Sequence, residues 1–332
     1  MTALTIIAIG RNEGERLKAC LRSLPQDATL IYVDSGSTDD SVAFAEAQGV
    51  QVVTLPPGSR FTAALARNAG LAIAASTGGG FVQMIDGDCA LDPAWLASAT
   101  AAMRADPTLA VVFGRRRERF PGRSIYNRLC DIEWDVPVGE ARSCGGDALF
   151  RLEAIRAANG YDPTLIAGEE PDLCLRLRAA GWRIRRLDAE MTLHDAAITQ
   201  FGQWWRRTER SGHAFAELAF RHGAKADPHW RRETRSIAAW GLALPLAVIA
   251  AGLAFGWPAA LLVLAAYPAQ MARIAWRKRG EGDEARVAVA QGIFLVIGKI
   301  AQAKGLLRYH LGRLTGNRVA LMEYKGEGPQ TT

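Results

Sequence analysis

Apolar and polar positions in the first third of the chain come in blocks rather than strict alternation. Short apolar runs, Leu4–Ile9, Leu30–Val33, Val50–Leu55 and Phe81–Ile85, are separated by stretches whose apolar residues recur at helical spacing. An unbroken run of this length, bounded by turn residues, reads as a strand buried on both faces. Leu17, Leu21 and Leu24 mark a helix that opens near Arg11–Glu15 and stops before Pro25. Val42–Gln48 and the alanine-rich stretch Phe61–Ala75 are the next two helices. Strands and helices alternating with short connections predict a largely parallel α/β sheet. The pattern continues with a helix from Asp92-Pro93 to about Ala105, a strand over Ala110–Gly114, and a glycine turn leading into a strand that ends at Phe150. A helix opened by Ala167–Asp172 and running to Ala180, with Leu173, Leu177 and Ala180 on one face, a strand over Trp182–Leu187, and a Trp/Arg-rich helix over Gln200–Arg221 follow.

The pattern changes near Pro228. Ser236–Ala272 is 37 residues without one Asp, Glu, Lys or Arg, interrupted at Gly256-Trp257-Pro258. A single span takes ~20 apolar residues, so this length suits a two-helix hairpin over about 236–276, or a shallower re-entrant one. Arg231, Arg232 and Arg235 precede it, and Arg273, Arg277, Lys278 and Arg279 follow it. Basic residues at both ends place both ends in the cytoplasm. Val287–Gly298, only twelve residues between Arg286 and Lys299, is too short to span and reads as part of an interfacial or docked helix over about 285–312. The chain thus divides into a region over 1–225 and a membrane-associated helical region over 226–332.

Charge sharpens that division. The 332 residues hold 40 Lys and Arg against 34 Asp and Glu, a net charge of +6. Between Arg273 and Lys325 there are 11 basic and 4 acidic residues, so the excess flanks apolar segments. A membrane surface is the better partner, and no nucleic-acid motif is present. Five scattered cysteines suggest neither a disulfide framework nor a zinc site, which fits a reducing cytoplasm. Cys89 and Cys144 read as small packing residues. The apolar run Ala3–Ile9 is too short for a signal peptide and no basic region precedes it.

In an α/β sheet of this kind ligands bind beyond the carboxyl ends of the strands. Ala8–Glu13, Asp34, and the pair Asp86 and Asp88 all fall there. Asp-Gly-Asp is good turn chemistry. Two adjacent carboxylates also repel, and a hard divalent cation with open coordination positions would relieve them while holding a diphosphate. Arg115–Arg119, with four arginines, reads as a solvated face or a contact with lipid headgroups.

Taken together and in order, these residues resemble the inverting family 2 glycosyltransferases of the GT-A fold. The likeness covers about Leu4–Arg221. It rests on Arg11-Asn12-Glu13, the run Val33–Asp39, Ala66-Arg67-Asn68, Asp86-Gly87-Asp88, Gly145-Gly146, the run Gly168–Leu177, and His194. The resemblance implies a Rossmann-like mixed sheet flanked by helices that binds a nucleotide-diphosphate sugar, with Mg2+ or Mn2+ as cofactor. Asp34 would accept from the nucleobase, or cap its turn; Ala8, Arg11, Glu13, Arg67, Asn68, Asp86 and Gly87 would line the donor pocket. Asp88 would hold the ion, with His194 as a further ligand and Asp86 near the ribose or the same ion. Glu170 occupies the position of the general base, where most relatives have Asp. Glu169 or Asp172 could share that work, although Asp172 also suits helix capping. Gly145, Gly146, Trp205 and Arg207 would contribute to the acceptor side. Gln203-Trp204-Trp205-Arg206-Arg207 keeps the Gln and Arg spacing of processive synthases but has Arg where their Trp stands, which favours a single transfer over polymerisation. Leu321-Met322-Glu323-Tyr324-Lys325 looks like the tail of membrane-associated bacterial enzymes of exopolysaccharide assembly. The implied acceptor is lipid-linked or a glycan, at the cytoplasmic membrane face. A sugar-nucleotide pyrophosphorylase would require a glycine-rich loop with a lysine after the first strand, and Gly10–Gly14 has no lysine. A membrane-anchored scaffold with an inactive transferase fold is disfavoured by Asp86, Asp88, Glu170 and His194 occurring together.

Overall fold

A computed structural model describes residues 4–59, 61–76, 80–225 and 227–316. The run Leu321–Lys325 lies outside them. The described chain divides into two compact units. The first holds the residues up to Arg123 and Cys130–Ala197; the second holds Ser124–Leu129 and the residues from Ile198 onward.

The first unit is built on one mixed sheet. Its strands are β1 (Leu4–Gly10), β2 (Thr29–Asp34), β3 (Gln51–Thr54), β4 (Phe81–Asp86), β5 (Cys89–Leu91), β6 (Leu109–Glu118), β7 (Gly139–Glu140), β8 (Ala148–Arg151) and β9 (Arg183–His194). The order is β3-β2-β1-β4-β8-β6-β9-β5, with β7 also paired to β9. The expected parallel block is β3-β2-β1-β4. Beyond it, β8 lies antiparallel to both β4 and β6, and β6 runs parallel to β9. Helices α1 (Glu15–Ser23), α2 (Ser41–Ala47), α3 (Ala63–Ala74) and α4 (Trp95–Ala105) follow the pattern read from the apolar spacing, as does α7 (Glu169–Ala179); α6 (Leu152–Ala157) is a further helix of this unit, and α5 (Ile125–Glu133) is divided between the two units after Leu129. The core is the sheet itself: Ile6, Ile7, Ile31, Val33, Val82, Met84, Val111 and Leu149 are fully or almost fully buried.

Two strands run longer than their apolar segments. β6 continues through Arg115, Arg116 and Arg117, and β9 continues to His194. His194 is therefore the last residue of a strand rather than a loop residue beyond it. The arginine run is not one solvated face. Arg115 is buried and pairs with Asp131 at 3.0 Å, while Arg117 pairs with Glu190 at 2.6 Å. Arg116 pairs with Asp86 and Asp147, so the three arginines meet different acids, on a strand whose register against β9 shifts on both sides of Arg115.

The second unit is helical. It contains α8 (Phe201–His222) and three helices long and apolar enough to cross a membrane: Pro228–Phe255, Trp257–Gly280 and Ala285–Thr315. The first of these carries a π-turn at Ala239–Ala243 just before Pro245, where a backbone N–H is missing. Tyr267 donates a hydrogen bond from its hydroxyl to the freed carbonyl of Trp240 at 2.7 Å. The third helix has 31 residues, close to the expected extent, and Lys299 lies inside it rather than at its end. Lys299 pairs with Glu233 at 2.6 Å, so its charge is met within the unit. That helix lies against α8 with backbones almost touching. A methyl group on Gly212 would sit 2.1 Å from the carbonyl oxygen of Gln302, and one on Gly305 would sit 2.0 Å from that of Glu209. Small residues on both partners permit this approach.

Candidate active site

The carboxyl ends of β4, β6 and β9, with the start of α7, bring most of the expected acids of the first unit together. Asp86 ends β4 and is held from both sides. Arg67, from α3, binds its Oδ1 at 2.7 Å, and Arg116, from β6, binds its Oδ2 at 2.8 Å. Burial pushes the Asp86 carboxyl up, but the two guanidinium groups outweigh it and hold it well below the usual range. Both carboxylate oxygens are thus already engaged. A Cβ at Gly146 would lie 2.6 Å from both Arg67 Nη2 and Asp86 Oδ2, so a side chain there would have to displace that ion pair. Gly145 comes beside Arg116. Gly87 donates to the carbonyl of Ile9 at 2.8 Å, and a side chain there would collide with that oxygen.

Asp88 points elsewhere. Its Oδ2 lies 3.1 Å from Nε2 of His194, and both residues are buried. Pairing of β5 with β9 sets this contact, because Cys89 opposes His194 directly. Burial and the nearby Arg116 charge lower the His194 pKa, which favours a neutral imidazole. Its Nδ1 has no hydrogen-bond partner among the described residues, and Glu118 Oε2 stands 3.9 Å away. The ring of Trp134 meets the imidazole edge to face at a centroid distance of 4.6 Å. Asp88, Cys89 and His194 offer ligand atoms within 4.8 Å of one another. A carboxylate oxygen and a neutral imidazole nitrogen, with a carboxylate at the imidazole's far side, are a donor set that suits a divalent cation. These residues fit the ion that the sequence motif implies.

The second acidic pair opens α7. Glu169 and Glu170 both take Arg67 Nη1, at 3.2 and 2.5 Å. Burial, then the Glu169 charge, raise the Glu170 carboxyl to about 7 against the opposing pull of Arg67. Asp172 is not part of this group: its carboxylate is gripped by Arg176 one turn on, at 2.8 Å. Arg67 also lies over the ring of Tyr161, at 5.5 Å. One buried guanidinium therefore ties the β4 acid to the α7 acids.

Several expected donor-pocket residues are engaged in shaping loops. Asp34 accepts from the backbone N–H of Gly36 and of Ser37 at 2.9 Å each, and from the Tyr32 hydroxyl at 3.0 Å. That is the capping role. Asn68 exchanges two hydrogen bonds with the backbone of Tyr161. Ala8 is buried inside β1. Glu13 pairs with Arg16 at 2.8 Å, and the exposed Arg11 lies over the Phe61 ring at 5.2 Å. Asn12 takes a positive φ of 52° and clamps the Ser37-Thr38 turn with its own amide groups. In the second unit Trp205 and Arg207 sit on α8, where Gln203 accepts from the Thr199 and Gln200 amides as a helix cap.

Arg116, Asp147, Glu118 and Trp134 were not expected here. Asp147 accepts the Asp86 amide at 2.9 Å and the Thr192 hydroxyl at 2.8 Å, and pairs with Arg116 at 3.0 Å. The only signal for Arg116 lay inside the arginine run, and nothing in the spacing distinguished it from its neighbours.

A mixed sheet with acids at its strand ends, facing an acidic helix start, is the arrangement of a GT-A fold. The chain belongs to glycosyl transferase family 2, whose family profile matches residues 5–146. It is 31% identical over 199 residues to an uncharacterized glycosyltransferase of Mycobacterium bovis, covering 56% of this chain and 84% of that one. It is also 31% identical over 238 residues to a pre-mycofactocin glycosyltransferase of Mycobacterium tuberculosis, covering 68% of this chain and 49% of that protein. The chain therefore spans about half the length of the curated relatives it first matches. In fold it resembles a mannosyltransferase from Pyrobaculum calidifontis, solved in complex with GDP-Man and Mn2+. The TM-score is 0.60 at 21% identity, covering 92% of this chain and 87% of that one.

Proposed function

We propose that the chain is a metal-dependent, inverting glycosyltransferase that moves one sugar from a UDP- or GDP-linked donor to a lipid-linked or glycan acceptor at the cytoplasmic face of a membrane, in exopolysaccharide or other cell-surface glycan assembly. The observation that carries this reading is the separation of the Asp88–His194 pair from the Glu169–Glu170 pair held by Arg67. One group offers Asp88 and His194 to an ion, and the other holds Glu170 near neutrality. A bound Mg2+ or Mn2+ supplies Lewis-acid stabilisation of the charge that develops on the departing nucleoside diphosphate. Asp88 and His194 would hold that ion. Arg67 and Arg116 keep Asp86 ionised and fixed in place.

Glu170 is the general base. It accepts the proton of the acceptor hydroxyl as that oxygen bonds to the anomeric carbon. The bond from that carbon to the diphosphate oxygen breaks on the opposite face, giving inversion. A base titrating near the working pH suits this task, and its longer side chain reaches about one methylene further than the Asp of related enzymes. The start of α7 adds a field that favours the ionised carboxylate.

The apolar hairpin supports the membrane part of the reading. Leu253, Phe255, Trp257 and Leu262 are each at least 74% exposed, and arginines flank both ends. The third long helix stays docked on α8, with 44% of its apolar stretch covered within the unit. Cysteines placed at Arg232 and Arg279 should both label only from the cytoplasmic side; labelling of one from outside would overturn the hairpin.

The functional proposal is tested by thermal shift with a panel of nucleotide sugars, with and without Mn2+. A ligand at 100 times its Kd stabilises the folded state by about 2.7 kcal/mol. A shift for one donor that requires the ion is expected; no shift with any donor would contradict the reading.

A further inference from the structure

We infer that Cys89 is a third protein ligand to the divalent cation, completing with Asp88 and His194 a mixed sulfur, oxygen and nitrogen site that prefers thiophilic ions such as Zn2+, Co2+ or Cd2+ to Mg2+. The inference rests on the metal-dependent reading above and adds to it the identity of the site's third donor.

Three observations converge on Cys89. It directly opposes His194 across the β5–β9 ladder, and directly opposed residues of an antiparallel pair present their side chains on one face. Its Sγ lies 3.7 Å from Asp88 Oδ1, and the ligand atoms of the three residues fall within 4.8 Å of one another. Bonds of about 2.0–2.3 Å to one ion draw such donors together with a side-chain shift of about one ångström. The sulfur is also common to both groups of ligand-type side chains in this unit, the second being Asp86, Cys89 and Asp147. In that second group Asp86 and Asp147 are both paired with Arg116, whose charge already serves them.

Burial pushes the free Cys89 thiol up, so the sulfur would carry charge only with an ion bound. Arg116 Nη2 lies 3.2 Å from Cys89 Sγ, placed to donate to a sulfur that carries charge. Glu118 stands 3.9 Å behind His194 Nδ1, in position to take the N–H of an imidazole that binds through Nε2. The site is buried, so few waters compete for the ion. On binding, the S–H bond breaks, the proton passes to solvent, and the sulfur–metal bond forms with no change of oxidation state. Soft sulfur ligands favour Zn2+ and its relatives, whereas Mg2+ demands oxygen donors.

The test is a Co2+ titration of the full-length chain in detergent, followed by absorption spectroscopy, with Mn2+ binding measured in parallel by calorimetry. The wild type should show a near-ultraviolet sulfur-to-cobalt charge-transfer band that saturates at one ion. Cys89→Ser should lose the band and weaken Co2+ at least about tenfold while changing Mn2+ affinity less. Cys144→Ser should keep the band, and His194→Ala should lose both the band and Mn2+ binding. Mn2+ binding with a cobalt spectrum free of the sulfur band would overturn the inference and leave the functional reading standing. A band that survives in Cys89→Ser would assign it to another thiol and also overturn the inference. Binding of neither ion would sink both.

Discussion

Arg67 touches two acidic groups, and they respond in opposite directions. At the end of β4, Asp86 is partly exposed and held by two guanidinium groups, so its carboxyl stays ionised far into acid. At the start of α7, Glu170 shares the same Arg67 with a second carboxylate in a buried setting, and its carboxyl rises to about 7. One cation cannot neutralise two acids at once, and burial penalises the remaining charge. Acids whose environments push them apart in pKa divide into a fixed charge and a proton acceptor. On the proposed reading the first group is a fixed charge and the second is the proton acceptor.

The largest expected break in that comparison is Glu170→Gln. It keeps the shape and a hydrogen bond to Arg67 but cannot take a proton. Turnover should fall ~10²–10⁴-fold with donor affinity unchanged. Glu169→Gln and Asp172→Asn should retain most activity, and the assignment of the base fails if either is dead while Glu170→Gln turns over normally.

Next comes Arg116→Gln, which acts on the other side. It strips the partner from buried Asp147 and half the grip on Asp86, and losing one member of a buried pair costs about 3–5 kcal/mol. Denaturant unfolding should show that loss, with Arg116→Lys recovering part of it. A change below about 1 kcal/mol would mean the cluster is solvated and the pairing idle.

The smallest effect is on pH. Glu170 must be deprotonated to act, so activity of the wild type should fall as pH drops below about 7. Glu169→Gln removes the neighbouring charge that raises Glu170, so the acid limb of its rate profile should move toward lower pH. A limb that does not move would show that Glu169 leaves Glu170 unaffected.

Much of this arrangement was legible in the sequence. The strands of the parallel block, α1 to α4, the Asp86/Asp88 strand end and the acidic start of α7 all follow from local apolar spacing and turn residues, which is where such patterns are strongest. What was not legible comes from pairing between distant strands. Arg116 reaches Asp86 only because β8 is inserted antiparallel between β4 and β6, and Asp147 reaches Thr192 through the same sheet. A one-residue change of strand phase would have sent Arg115 or Arg117 there instead. Asp34 illustrates a different limit. Its place at a strand end was plain, but whether it serves a ligand or its own turn depended on where Gly36, Ser37 and Tyr32 point. The third long helix keeps its expected extent, but it is apolar enough to cross a membrane, because Lys299, which looks like an end to the apolar run, is met by Glu233.

The division of labour between the two acidic groups is tested most directly by calorimetric titration of a nucleoside diphosphate into four proteins, each with Mn2+ and with EDTA. The wild type, Asp86→Asn, Asp88→Asn and Glu170→Gln would be compared. Metal-dependent binding should vanish in Asp88→Asn, weaken in Asp86→Asn, and match the wild type in Glu170→Gln. Unchanged metal-dependent affinity in Asp88→Asn, or its loss in Glu170→Gln, would contradict the account.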